Sequence, residues 1–201
     1  AIGLVGSEMC IRDRSYIASE HPDLPVVLIG HSMGGLIAAR TVLDAATDYQ
    51  TLILTGPLLG VPTPPPAWQT RLLRTLSALF PAAKALEIDA SAVSRDQTVV
   101  DDYVADPLVH HKNIPARTVV SLFDEASAVL GRASEISLPT LLLHGEEDEL
   151  TSVPASRQFM ADLSATDKHI TVYPGMYHEL FNEPEKEDII RTCLDWIATR
   201  L

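Results

Sequence analysis

The ten residues VVLIGHSMGG, Val26 to Gly35, constrain the fold of this chain more than any other stretch. Val26–Gly30 is short, continuously apolar and β-branched, the pattern of a strand buried on both faces of a parallel sheet. Leu36–Ala46 reads as a helix rich in Ala and Leu, and Thr51–Gly56 as the next buried strand, which completes one right-handed βαβ unit. Between the first strand and the helix stands Gly30-His31-Ser32-Met33-Gly34, a Gly-x-Ser-x-Gly turn. A turn this sharp holds the serine in a strained conformation and lifts its hydroxyl above the sheet, while glycines two residues to either side let strand and helix approach closely. A phosphate-binding loop is the competing reading, but its Gly-x-Gly-x-x-Gly and Gly-Lys-Ser/Thr forms are absent. Ser32 is therefore the candidate nucleophile.

From Pro57 the character changes. PLLGVPTPPPAW is too rich in proline for core structure, and RLLRTLSALF follows with leucines at helical spacing. Residues 57–137 hold several helical patterns and no convincing parallel strand, so they are expected to form a helical cap over the strand ends. The alternation resumes with a strand at Pro139–Gly145, a helix at Pro154–Leu163, a strand at His169–Gly175 and a last helix after Pro184. In that helix Ile190, Cys193, Leu194, Ile197 and Leu201 form the expected apolar stripe for packing on the sheet. The chain thus divides into core at 15–56, cap at 57–137 and core at 138–201.

A serine hydroxyl needs a base to take its proton, and in this fold class the order is Ser, then Asp or Glu, then His. His178 fits best, because it follows the strand ending Tyr173-Pro174-Gly175 and lies in a loop at the carboxyl end of a parallel strand. His31 neighbours the nucleophile but should point elsewhere, His144 ends a strand, and His110, His111 and His169 read as cap or surface groups. The acid should follow the preceding strand, where Glu146, Glu147, Asp148 and Glu149 compete and spacing does not choose among them.

GHSMGG, LLLHGEEDELT and YPGMYHELFNEPEKEDI together resemble the monoacylglycerol lipase and lysophospholipase group of the α/β-hydrolases, over about residues 15–201. The resemblance implies an α/β fold whose acid is the aspartate of an HGxxD segment, which lands on Asp148, and it places the catalytic histidine at His178. DPLVHH, Asp106 to His111, is similar to part of the cap of these enzymes. Ser32 excludes the nucleophilic aspartate of the epoxide-hydrolysing and dehalogenating relatives.

Acyl transfer in this fold needs two backbone N–H donors for the oxyanion. Met33 supplies the first, and residues 1–25 contain no strand and His-Gly-type loop to supply the second. The parallel sheet is accordingly expected to be incomplete, with only its C-terminal strands present. LVGSEMCIRDR, Leu4 to Arg14, is similar to translated sequencing-adaptor read-through, so residues 1–14 are expected to be a non-native head on a shortened reading frame. With its neighbours absent, the Val26 strand becomes an edge, and the isolated chain is expected to aggregate.

The expected chemistry is hydrolysis of a carboxylic ester, a monoacylglycerol or lysophospholipid, through an acyl-enzyme on Ser32, with no metal or organic cofactor. Leu58, Leu59, Val61, Trp68, Leu72, Leu73, Leu76, Leu79 and Phe80 suit an acyl tunnel or a lid that touches lipid transiently, and equally a cap packed on itself. A proline-iminopeptidase-like reading shares the elbow and would need an acidic pocket, for which Asp101, Asp102 and Asp106 are candidates. An inactive scaffold is the third reading. A net charge of −12 argues against a nucleic-acid partner. No apolar run approaches the roughly 18 residues that span a bilayer, and the opening residues lack a signal-peptide pattern, so a cytoplasmic, membrane-touching protein is expected. Two cysteines, Cys10 and Cys193, make no disulfide framework, and Cys193 reads as a small buried hydrophobe.

Overall fold

A computed structural model describes residues 5–110 and 113–201. The first four residues of the head, and His111 with its proposed place in the cap, lie outside the described residues. The centre is a four-stranded parallel sheet in the order β1 (Val27–His31), β2 (Thr51–Thr55), β5 (Thr140–Gly145), β6 (Lys168–Tyr173). β3 (Lys84–Leu86) and β4 (Ile114–Pro115) form a separate antiparallel pair.

Every residue of β2 and β5 is buried, as the continuous apolar runs demand. Their side chains alternate between two layers. Leu52, Leu54 and Leu142 point into a cluster with Leu36, Ala39 and Val42 of α2 (Met33–Ala45) and Phe159 of α6 (Val153–Asp162). Ile53, Leu141 and Leu143 point the other way, onto Met176, Leu180 and α7 (Lys186–Ala198). The face of α7 differs by one residue from the expected stripe. Ile189 and Cys193 are buried with Trp196 and Ile197 beside them, whereas Ile190, Leu194 and Leu201 are exposed. The indole explains the shift: Trp196 Nε1 donates to Thr51 Oγ1 at 2.7 Å, which turns the helix to bring Ile189 rather than Ile190 onto the sheet. Burial also pushes the Cys193 thiol up to about 11.

Ahead of the sheet, α1 (Val5–Glu20) runs through most of the head segment, with Tyr16 exposed and Arg14 Nε donating to the Asp48 carbonyl at 2.7 Å. Residues 57–137 contribute α3 (Ala67–Leu79), α4 (Gln97–Ala105) and α5 (Ala116–Gly131). Leu122, Ala126 and Val129 of α5 enter the same cluster as Leu36, and Arg40 of α2 pairs with Glu125 at 2.6 Å. The β3–β4 pair was not expected from the sequence. Among the described residues no helix is long and apolar enough to cross a membrane.

Candidate active site

The site forms at the carboxyl ends of β1, β5 and β6, where a parallel sheet opens its strand-to-helix loops. Ser32 sits between β1 and α2 at φ 54°, ψ −122°, the one positive-φ residue other than glycine among the described residues. Its N–H donates to the Thr55 carbonyl at 3.0 Å, so the pairing of β1 with β2 runs on into the turn. A β-carbon on Gly30 would meet the Gly34 carbonyl oxygen at 2.4 Å, and one on Gly35 would meet Pro57 at 2.8 Å. The close approach therefore rests on Gly30 and Gly35. Gly34, expected to share that role, has open space where a β-carbon would lie.

The structure brings together the three residues singled out in the sequence. His178 Nε2 is 2.9 Å from Ser32 Oγ, and His178 Nδ1 is 2.7 Å from Asp148 Oδ2. A carboxylate only accepts, so Nδ1 carries the proton, and Nε2 is left with a lone pair facing the serine hydroxyl. Asp148 is the one buried member of the four competing carboxylates, at 6% exposure, while Glu146, Glu147 and Glu149 are exposed. Its Oδ1 accepts from the Leu150 and Thr151 N–H groups, each at 2.8 Å, and its Oδ2 also accepts from Thr151 Oγ1 at 2.7 Å. Burial alone would raise this carboxyl. Hydrogen bonds from His144 and His178, the charge of His178 and the Thr151 N–H outweigh burial and hold it well below the usual carboxylate range.

Two histidines depart from expectation. His31 does not point away: its ring lies 4.7 Å from that of His178, and Nδ1 lies 3.0 Å from both the carbonyl and the hydroxyl of Thr55. Burial, and then the neighbouring charge of His178, push His31 down to about 4, so it stays neutral beside the base. His144, passed over as the end of a strand, reaches Asp148 Oδ2 at 3.1 Å. The signal was present in LLLHG, where a polar ring interrupts a run that must be buried and so needs partners.

Met33 is the first residue of α2, so its N–H has no partner within the helix and is free to face a developing oxyanion. Ahead of β1, the described residues form α1 and a turn, without a strand-and-loop that could bring a second donor. A cavity of about 1420 Å³ opens over Ser32, His178 and Met33, walled by apolar groups that include Leu58, Val61, Leu73 and Phe123. The acidic wall that an iminopeptidase-like reading would need is not built from the candidates for it. Asp101, Asp102 and Asp106 lie outside the cavity lining, on and after the exposed side of α4, and the lining acids are Glu87, Asp89, Glu149 and Glu179. Among the described residues no group of three His, Cys, Asp or Glu side chains is placed to hold a metal ion.

This parallel sheet, its positive-φ serine turn and its loop order define an α/β-hydrolase. Residues 11–185 match the family described as serine aminopeptidase, S33, and the chain belongs to that family. A monoacylglycerol lipase of Mycolicibacterium smegmatis is 36% identical over 184 residues, which cover 92% of this chain and 66% of that protein. The human monoglyceride lipase is 30% identical over 184 residues, 90% of this chain and 61% of that protein. The chain thus spans less than two thirds of the length of these relatives. A crystal structure of Paleococcus ferrophilus monoacylglycerol lipase superposes with a TM-score of 0.84 at 29% identity, covering 99% of this chain and 77% of that one.

Proposed function

We propose that this chain carries the catalytic centre of a serine hydrolase that cleaves the ester of monoacylglycerols. The observation that carries the reading is the hydrogen-bonded series Ser32, His178, Asp148 at the floor of a large, mainly apolar cavity. In this reading His178 Nε2 takes the Ser32 proton as Oγ attacks the ester carbonyl, and the oxyanion gathers at the Met33 N–H. The imidazolium, stabilised by ionised Asp148, then protonates the departing glycerol oxygen. Water, deprotonated by the same ring, releases the fatty acid from Ser32.

The residues of the cap segment divide in a way that suits a lipid substrate. Leu59 is buried in the core, and Leu58, Val61 and Leu73 line the cavity. Trp68, Leu72, Leu79 and Phe80 are each more than 60% exposed, all on or just after α3. One helix thus offers Gln69 and Leu73 to the cavity and an apolar side to the surroundings, an arrangement suited to drawing an acyl chain from a lipid surface. The relatives named as monoacylglycerol lipases agree with this substrate class.

The test is labelling of the purified chain with a fluorescent fluorophosphonate, followed by comparison of monoacylglycerols with aminoacyl amides. Labelling abolished by Ser32→Ala, with monoacylglycerols cleaved faster than aminoacyl amides, is the expected result. Folded protein that takes no label, or that prefers the amides, overturns the proposal.

A further inference from the structure

β5 contains one ring among apolar neighbours, and none of the surface of that His144 is exposed. A buried imidazole needs partners for both nitrogens. Nδ1 lies 3.0 Å from Ser156 Oγ on α6, and Nε2 lies 3.1 Å from Asp148 Oδ2 and 3.2 Å from Thr151 Oγ1. Ionised Asp148 has no proton to give, so Nε2 must carry one, and Nδ1 of the neutral ring then accepts the Ser156 hydroxyl proton. The Thr151 hydroxyl has a single proton to share between Asp148 Oδ2 and the Gly56 carbonyl at 3.1 Å. Asp148 Oδ2 is therefore approached by two histidine donors, His178 from the loop after β6 and His144 from β5.

We propose that His144 is a positioning residue for the reaction: its Nε2–H, fixed by Ser156, keeps Asp148 an ionised acceptor with Oδ2 aimed at His178 Nδ1. The inference rests on the reading of Ser32, His178 and Asp148 as the reacting set, and it adds a fourth member that touches neither substrate nor nucleophile. The titratable groups around His178 are Asp148, which it touches, His31 across the elbow, His144 behind the acid, and Glu149 and Glu179 in the same cavity wall. Removing the His144 donor leaves the carboxylate more basic and less constrained. A carboxylate without that donor is free to swing Oδ2 out of line with His178 Nδ1.

Histidine 15N NMR reads this without turnover. The wild type should show His144 as the Nε2–H tautomer; the Nδ1–H tautomer overturns the inference. His144→Leu should shift the His178 Nδ1–H resonance and slow fluorophosphonate labelling about 10- to 100-fold, whereas His144→Gln, which keeps an N–H donor, should leave the resonance in place and the labelling rate within about 3-fold of the wild type. A His178 Nδ1–H resonance unmoved in His144→Leu overturns the proposal, because a ring that merely fills space would not be felt there. If the leucine variant does not fold, the wild-type spectrum still decides, because a His144 protonated only on Nδ1 cannot donate to Asp148. Coupling seen by NMR in protein that takes no label supports this inference while overturning the hydrolase reading. Labelled protein without coupling does the reverse.

Discussion

The Glu183 carboxylate, with none of its side chain exposed, accepts from the Arg95 backbone N–H at 3.0 Å and is paired with the Arg95 guanidinium. It sits five residues beyond His178. Around it, the Glu179 N–H donates to the Val93 carbonyl at 2.8 Å, and Ser94 Oγ donates to the Asn182 carbonyl at 3.2 Å. The histidine loop is thereby fastened to residues 93–95 of the segment between β2 and β5.

Breaking this fastening should cost more than a surface ion pair. Arg95→Ala strands a buried carboxylate, and the expected loss is about 3 kcal/mol of stability together with slower fluorophosphonate labelling of Ser32. Urea unfolding and labelling rates measure the two effects. A variant with unchanged unfolding and labelling would show that the clamp does not hold the loop.

The glycines of the serine turn should separate by substitution. Gly30→Ala drives a methyl to 2.4 Å from the Gly34 carbonyl oxygen, an overpacking expected to cost about 1 to 3 kcal/mol. Gly34→Ala meets nothing and lies inside α2, where alanine should be neutral or stabilise by up to about 1 kcal/mol. Thermal unfolding of the two variants in parallel decides it, and equal losses would contradict the packing described for the turn.

Acid should weaken the fold in two stages. His31 is held down to about 4 in the fold against about 6.5 unfolded, so the unfolded chain binds its proton first. The stability from its neutral burial is complete above about pH 6.5 and is lost as pH falls towards about 4. At about 1.4 kcal/mol per pH unit, that interval sets an upper value of about 3 kcal/mol, reduced because the ring is only partly buried. Asp148, held below the ordinary carboxylate range, adds its own loss as pH falls below about 4. His31→Gln should show a smaller fall in unfolding midpoint between about pH 7.5 and about pH 5 than the wild type, and an equal fall would remove His31 from the explanation.

What was legible in the sequence followed from periodicity and from turn chemistry. Thr51–Gly56 reads as a strand buried on both faces and β2 is one, whereas β1 lies at the edge of the described sheet with Ile29 51% exposed, and Ser32 stands where a strand must turn sharply into a helix. In the sequence only a family resemblance singles out Asp148, and its burial, which separates it from three exposed glutamates, is a property no single-chain pattern displays. β3 and β4 left no trace because five residues, including Pro115, are too few to show an alternation. The sequence does not separate Ile189 from Ile190 as the buried face of α7 because the two are equally apolar, and the choice goes with a hydrogen bond from Trp196 to a strand 145 residues away. The role of His144 was hidden for the same reason: its partners on α6 and in the acid loop are neighbours only once β5 and α6 have packed.

Ser32 and His178 stand 146 residues apart along the chain, yet they meet within a single hydrogen bond. Contacts of such sequence separation are the slowest to form, since the intervening chain must be ordered before they return any stability. During synthesis the serine turn can fold early, but the hydroxyl has no base until the loop after β6 has left the ribosome and docked. The chemistry proposed for this chain is therefore timed by its topology: a half-made molecule carries a shaped serine turn and no means of activating it.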